Sequence, residues 1–513
     1  MGVDFLQEIS IKILELGAIL FVFMLGVGVL IIGYVYFIDV SQTKQTIRRN
    51  YPVVGRFRYF FEHMGEFFRQ YFFAHDREEL PFNRAQRAWA YRAAKDVDST
   101  VAFGSTRALN QPGDIVFLNA LFPVFDEDAL PAEALTLGEG YADKPYTTAS
   151  LVNISGMSYG ALSIPAIQAL SSGAAKAGIW MNTGEGGLSP HHLKGGCDIV
   201  YQIGTAKYGV RTPEGELSDE KLRAVAAYPQ VRMFEIKMSQ GAKPGKGGIL
   251  PAVKVTEEIA QTRCIPPGKD SISPNGHRDI RSIDDLLDKI RHIRTVTGKP
   301  TGFKTVIGES TWLAEMCEAI HRRGLEYAPD FITIDSADGG SGAAPQSLID
   351  DVGLPIRHSL PLVVDTLIAY NLKERVKVIS SGKLINPADV AWALSVGADF
   401  ITSARGFMFA LGCIQALQCN KNTCPTGIAT HDLSLQRGLD LTDKIQRVAN
   451  FSKNLTHEVG MVAHSCGVEQ PRQLSRKHVQ IINALGMPEP LEQVSPMPKV
   501  RAKYATIPVT KVG

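Results

Sequence analysis

Apolar residues run without a charge from Leu16 to Ile38; beyond residue 150 they break into short runs that alternate with amphipathic stretches. A helix over the first run covers roughly the 30 Å hydrocarbon thickness of a bilayer. A buried core helix is rarely apolar all round for so long, and a cleaved signal would be shorter and followed by a small-residue cleavage site. The run therefore predicts a single-pass membrane helix within an anchor region, 1–50. Lys44, Arg48, Arg49, Arg56 and Arg58 follow it, whereas Asp4, Glu8, Lys12 and Glu15 precede it. Basic residues favour the inner face, so the large carboxy-terminal part is expected in the cytoplasm.

The next region, 51–148, opens with Phe57–Phe73, where aromatics and arginines mix as in a segment lying at headgroup level. Capping the core of the following domain is the other use of such aromatics. Residues 76–98 are charged and helix-forming, with Trp89 and Tyr91 as packing anchors. Region 149–430 carries eight short apolar runs: Leu151–Ile154, Ile179–Asn182, Ile199–Ile203, Met233–Lys237, Phe303–Val306, Phe331–Asp335, Val376–Ser380 and Phe400–Ser403. Helical patterns at Ile164–Ala177, Ile283–Val296, Thr311–Arg323 and Pro387–Val396 separate several of them. Eight parallel strands with crossover helices predict a (β/α)8 TIM-type barrel behind an N-terminal transmembrane helix, with a doubly wound open sheet as the rival. Residues 431–513 read as a helical region and a Pro-rich tail.

Composition narrows the function. With 54 basic and 52 acidic side chains in 513 residues, the chain lacks the basic excess of a nucleic-acid binder. Seven cysteines, an odd number in a long chain, do not form a secreted disulfide framework. Three of them, Cys413, Cys419 and Cys424, share one Asn/Pro-rich stretch. Thiolates on one loop can hold zinc or an iron–sulfur cluster; buried cysteines can also be inert small hydrophobes.

The loops expected after the strands are rich in glycine and polar side chains: Ser155–Ser163, Thr183–Gly187, Gln240–Gly248 and Ser336–Ala343. A barrel places its chemistry at this rim, and its last two loops commonly hold phosphate. Ser381-Gly382-Lys383 and Arg405-Gly406 are the phosphate-side candidates, offering backbone N–H groups and a cation.

Gly156-Met-Ser-Tyr-Gly-Ala-Leu-Ser163, Asn182-Thr-Gly-Glu-Gly-Gly187, Lys237–Gly248, Asp338-Gly-Gly-Ser-Gly-Ala343 and the stretch from Gly412 to Gly427 resemble, in order, the FMN-binding synthase domain of glutamate synthases. The resemblance implies an FMN-bearing barrel that makes an amino acid, glutamate if the acid is 2-oxoglutarate, by reductive amination of a 2-oxo acid with ammonia. It implies that Glu185, Lys237 and Gln240 are catalytic and that Met157, Ser158, Lys243 and Arg263 bind substrate. Arg263 and a lysine suit the two carboxylates of a dicarboxylic acid, although each could also be an ordinary rim salt bridge. Gly156, Thr183, Lys304, Gly339, Gly340 and Ser341 join Gly382, Lys383, Arg405 and Gly406 around the cofactor. Cys413, Cys419 and Cys424 match the ligands of a [3Fe–4S] cluster; a zinc site would want a fourth ligand, for which His431 is a weak offer.

The chain also departs from the family pattern. A membrane span stands where full-length members carry a glutamine amidotransferase domain, and about 80 residues follow position 430 where they carry a β-helical domain. Ammonia is therefore expected from solution or from a separate amidotransferase, and electrons from a ferredoxin-like or membrane partner, because no dinucleotide fingerprint follows a predicted strand. Ile249 stands where a polar Gln or His is expected beside the oxo acid, and the stretch after the seventh run lacks the usual Asp-Gly-Gly. These departures leave two alternatives: another FMN-dependent redox reaction on the same barrel, or a non-catalytic membrane-tethered redox module.

Overall fold

The computed structural model describes residues 2–507; residues 508–513 of the expected tail lie outside it, as do the side chains of residues 1–4 and 6, Asp4 among them. The chain divides into two compact units, Met1–Ala85 and Gln86–Gly513. In the first, α1 (Gly2–Ser41) is long and apolar enough to cross a membrane by length and composition, with a mean hydropathy of 2.7 over its most apolar stretch. After a short turn of helix at Thr46–Asn50, α2 (Gly55–Phe68) follows and ends in a π-helical turn, Arg69–Phe73. The aromatics of this segment are exposed, Phe61 at 64% and Phe72 at 67%.

In the second unit, α3 (Arg84–Lys95) is fixed by the two anchors expected from the sequence. Trp89 packs edge-on to Phe451 and donates to Glu458 at 3.1 Å; the Tyr91 hydroxyl donates to the Cys413 carbonyl at 2.6 Å. The barrel strands are β1 (Val152–Ile154), β2 (Met181–Asn182), β3 (Ile199–Ile203), β4 (Val231–Lys237), β5 (Thr301–Val306), β6 (Phe331–Asp335), β7 (Lys377–Ser381) and β8 (Phe400–Ser403). All pairings are parallel, and β8 closes onto β1 with Ile401 opposite Val152, which excludes the open sheet. The second run is mostly lead-in: only Met181 and Asn182 make ladder pairs, while the runs at β4 and β5 begin two residues earlier than the apolar pattern suggests.

The crossover helices start and stop where local chemistry requires. On α4 (Ile164–Ala177), Ser163 accepts from the Ala166 N–H at the start, and Gly178 takes the left-handed conformation at the end. Helices α5 (Ile283–Thr297), α6 (Thr311–Arg323), α7 (Ile356–Ala369) and α8 (Pro387–Val396) cover β5 to β8, and α9 (Arg405–Leu411) begins directly after β8. The last long helix, α10 (Leu441–Ser465), lies against α4 so closely that a Cβ on Gly173 would stand 2.5 Å from Val448.

Inside the barrel, polarity changes with height. The floor is apolar, formed by Trp180, Val200, Met233, Phe331, Ile379 and Phe400 and plugged by Leu137 and Tyr146. The plug comes from a two-stranded hairpin, Leu135–Leu137 with Tyr146–Thr148. Two residues further along the strands, the inward positions become Asn182, Gln202, Glu235 and Thr333. Asn182, Gln202 and Thr333 all donate to the buried Glu235 carboxylate, at 2.8, 2.7 and 2.6 Å.

Below the floor, Asp330 is fully buried and accepts from Arg294 at 2.7 Å, Arg375 at 2.9 Å and the Thr301 N–H at 2.7 Å. Removing its carboxylate strands two buried guanidinium groups. Asp330→Ala is expected to lower stability by about 3–5 kcal/mol. Urea unfolding of the two proteins measures it, and a loss of less than about 1 kcal/mol would contradict this account of the pair.

Candidate functional site

The carboxyl ends of the strands gather the predicted residues at one mouth. Glu185 sits on a 3-10 turn, Gly184–Gly186, directly after β2. The turn is tight: Gly184 has φ +64°, and a Cβ there would stand 2.6 Å from the Ser158 nitrogen. Lys237, the last residue of β4, places its Nζ 3.1 Å from Glu185 Oε1 and donates to Gln240 Oε1 at 2.9 Å. Gln240 Nε2 reaches the Gly340 carbonyl at 3.4 Å, so one polar chain joins the loops after β2, β4 and β6.

Two more cations stand close by. Lys243 is buried and donates to the Ala343 carbonyl at 3.1 Å. Arg263, also buried, ends the helix Glu257–Arg263, donates to Ser271 Oγ at 3.0 Å and to the Tyr159 carbonyl at 3.3 Å, and lies over the Tyr208 ring. Its Nε is buried without a partner. Burial opposes ionisation of Glu185, yet Lys237, supported by Lys243 and Arg263, outweighs it and holds the carboxyl below its ordinary range. Burial pulls the Lys243 ammonium down, partly offset by Glu185.

Ser158 lies against the turn that carries Glu185, since a Cβ on Gly186 would stand 2.8 Å from its Cβ. Met157 contributes backbone to the same contact. Gly156 is needed where it is because a side chain would meet Asn182 and Gln202 at 2.9 and 3.0 Å. Thr183 is buried, and its hydroxyl accepts from the Gln202 N–H at 3.1 Å. Lys304, on β5, pairs with Asp335 at 3.3 Å; burial would lower its pKa, but Asp335 and Glu235 raise it overall. Ile249 pairs with Ile272 in a two-residue ladder and is 47% exposed. Its neighbour Gly248 lies directly against the Glu185 carboxylate.

Across the mouth, Arg405 donates to the Ser341 carbonyl at 3.0 Å and lies so close to Gly340 that a Cβ there would strike its guanidinium. Gly382 stands against Ser336, and Lys383 adopts φ +50°. Gly339 closes the same turn, its N–H donating to the Ser336 carbonyl at 2.9 Å. These contacts bring the loops after β6, β7 and β8 together on one side of the mouth. Gly406 is different: its N–H already donates to Ser403 Oγ at 3.3 Å, and its missing side chain admits the Phe451 ring. The groups fit FMN: Asn153 Nδ2 and Thr402 Oγ1 are buried polar atoms without partners, and the loops after β6, β7 and β8 supply cations and close backbone approach.

The cysteine stretch folds onto this rim. Cys419 Cβ lies 3.9 Å from the Cβ position of Gly342, and the buried Lys254 donates to the carbonyls of Cys419 and Ala429 at 2.9 and 2.8 Å. His431 Nε2 bonds to the Gly160 carbonyl at 2.8 Å. Burial raises the Cys413 thiol, with Cys419 and Cys424 adding to the shift; for Cys424, burial is outweighed by Thr426 and backbone N–H groups, so its pKa falls. Among the described residues, no three His, Cys, Asp or Glu side chains are gathered closely enough to hold a metal ion. Glu235, Gln202 and Asp335 were not singled out from the sequence, because a lone polar residue inside an apolar strand carries no motif.

A closed β/α barrel with a cationic, glycine-lined mouth fits an FMN-binding oxidoreductase domain, and the sequence matches establish the class. The chain belongs to the glutamate synthase family: the profile described as the conserved region in glutamate synthase matches residues 125–469. It is 39% identical over 494 residues to the glutamate synthase large subunit-like protein YerD of Bacillus subtilis (strain 168), covering 89% of this chain and 93% of that one. It is 34% identical over 340 residues to the archaeal-type glutamate synthase [NADPH] of Thermotoga sp. (strain RQ2), covering 66% of this chain and 63% of that protein. Among solved structures, a flavocytochrome b2 mutant aligns over 77% of this chain and 82% of its own, at 14% identity and a TM-score of 0.45.

The depressed pKa of Glu185 gives a signed prediction. A carboxyl that titrates lower in the folded than in the unfolded chain contributes stability above its unfolded value, near 4.5, and loses it as pH falls through the folded value. The stability difference between the protein and Glu185→Gln should be constant above about pH 5 and shrink below it, read by denaturant titrations at several pH values. A difference that grows on acidification would contradict the Lys237 pairing.

Proposed function

We propose that this chain is a membrane-anchored enzyme that reductively aminates a 2-oxo acid, with 2-oxoglutarate the foremost candidate. The observation that carries the reading is the chain Glu185–Lys237–Gln240 with Lys243 and Arg263 beside it. Arg263 and Lys243 offer the acid's carboxylates two desolvated cations, each already aligned by hydrogen bonds. Glu185, its carboxyl held low by Lys237, gives ammonium an electrostatic anchor, and the ammonium proton passes to solvent before ammonia attacks. Lys237 positions that carboxylate, and Gln240 ties Lys237 to the loop after β6. In the net reaction the carbonyl oxygen leaves as water, ammonia nitrogen bonds to the same carbon, and two electrons and two protons saturate the carbon–nitrogen bond. Bound FMN would supply the hydride. Met157, Ser158, Gly156, Thr183, Lys304, Gly339, Gly340 and Ser341 would line substrate and cofactor, with Gly382, Lys383 and Arg405 on the phosphate side.

In the same reading, Cys413, Cys419 and Cys424 hold a [3Fe–4S] cluster. Three thiols on one short loop, the N–H groups that favour the Cys424 thiolate and the nearness of Cys419 to Gly342 support it. Binding requires the three side chains to turn toward one another. The span lies within region 1–50, the membrane-proximal segment in 51–148, the barrel in 149–430 and the helical end in 431–513, with the catalytic part cytoplasmic. Ammonia comes from solution or a separate amidotransferase, and electrons come from a ferredoxin-like donor. An exposed Ile249 beside Gly248 supports a second reading, a different FMN-dependent redox reaction at the same mouth.

Anaerobically purified protein should carry FMN and about three iron atoms per chain, and Cys419→Ala should lose the iron while keeping the flavin. With a chemical reductant, 2-oxoglutarate and ammonium, Glu185→Gln should form amino acid about a hundredfold more slowly and need more ammonium, because an electrostatic anchor is lost. Flavin-loaded protein that is iron-free and fully active would refute the cluster, and unchanged turnover in Glu185→Gln would refute the role given to this carboxylate.

A further inference from the structure

The segment after the long apolar helix carries a feature that the chemistry at the barrel mouth does not use. On α2 and the turn that continues it, Phe57, Phe60, Phe61, Met64, Phe67, Phe68 and Tyr71 recur at three- and four-residue intervals. They form one apolar stripe, and Arg58, Glu62, Glu66 and Arg69 lie on the other side of the helix. The stripe is uncovered: Phe57, Phe60, Phe61 and Phe67 are all more than half exposed. Its rings touch mainly one another, as between Phe60 and Phe61 at 5.3 Å and between Phe67 and Tyr71 at 4.8 Å.

A second, independent observation fixes this helix to the end of α1. Asp39, near the last turn of α1, is fully buried. It accepts from Arg48 at 3.0 Å, from Arg56 at 2.9 Å and from the Val53 N–H at 3.0 Å. Gly55 allows the close approach, because a Cβ there would stand 2.8 Å from the Ile47 carbonyl oxygen. The chain between the two helices is thus closed by a charged latch rather than left as a free linker. Lys44, Arg49 and Arg58 remain exposed near it, and Arg69 is exposed at the far end of α2.

We propose that α2 and the turn to Phe73 form a second membrane contact, an interfacial helix whose aromatic stripe enters the leaflet at which α1 emerges, oriented by the Asp39 latch. Continuity with the apolar helix selects a bilayer as the occupant, since the stripe begins within twenty residues of Asp39 on a latched turn and cannot leave that surface by more than the latch allows. The exposed basic residues favour anionic headgroups. The inference rests on the membrane-spanning reading of α1 and goes beyond it, because an anchored chain needs no such helix.

The test uses the full chain reconstituted into nanodiscs of phosphatidylcholine with phosphatidylglycerol, carrying a benzophenone amino acid at position 61 or at position 62. Association with the discs reports the span. After irradiation, lipid adducts are expected at position 61 at about tenfold the yield at position 62, less so in phosphatidylcholine alone. Asp39→Asn should leave the chain in the discs and narrow the ratio between the two positions. Equal lipid yields at the two positions in the disc-bound wild-type chain would overturn the proposal, as would adducts from position 61 to protein, whether the same chain or a second copy. A chain that does not enter the discs would instead overturn the span.

Discussion

The ion pair between Lys237 and Glu185 is the contact around which the barrel mouth is built. Charges taken out of water must be met by other charges or donors, and this mouth meets them in a chain. Glu185 answers Lys237, with Lys243 and Arg263 in electrostatic reach, Asp335 answers Lys304, and Glu235 below them is satisfied by three neutral donors. Cations still predominate at this mouth. The surplus is held in place by backbone: Lys243 on Ala343, Arg263 on Tyr159 and Arg405 on Ser341.

The fold supplies what this arrangement needs. An apolar floor plugged by Leu137 and Tyr146 keeps the lower barrel dry, so the polar layer above it is forced toward the rim loops. Glycines at positions 156, 184, 340 and 382 then let those loops approach one another more closely than any side chain would permit. The cysteine stretch, pinned by Lys254, Tyr91 and His431, closes one side of the same rim.

Much of this was legible in the chain. Each of the eight barrel strands overlaps an apolar run, because strands in a parallel barrel are buried on both faces and end in glycine or polar residues. The rim loops were legible for the same reason. Strand β2 was overdrawn, since Ile179 and Trp180 precede its ladder pairs and Trp180 packs on Phe400. The hairpin at 135–148 and the buried acids Glu235 and Asp335 were not legible. A three-residue strand has no period to detect, and a single buried carboxylate inside a strand looks like a break in the pattern until its donors on neighbouring strands are seen. The exposed aromatic stripe was visible as a cluster, but its latch to Asp39 depends on contacts up to 17 residues apart.

A single turnover shows whether reduced flavin at this mouth aminates a 2-oxo acid. Flavin-loaded protein is reduced with dithionite and mixed anaerobically with 2-oxoglutarate, with ammonium, or with both, while the flavin absorbance is followed. Reoxidation is expected only with both present, yielding one amino acid per flavin. Reoxidation by neither the pair nor any other 2-oxo acid with ammonium would contradict it and leave a different redox reaction at this mouth.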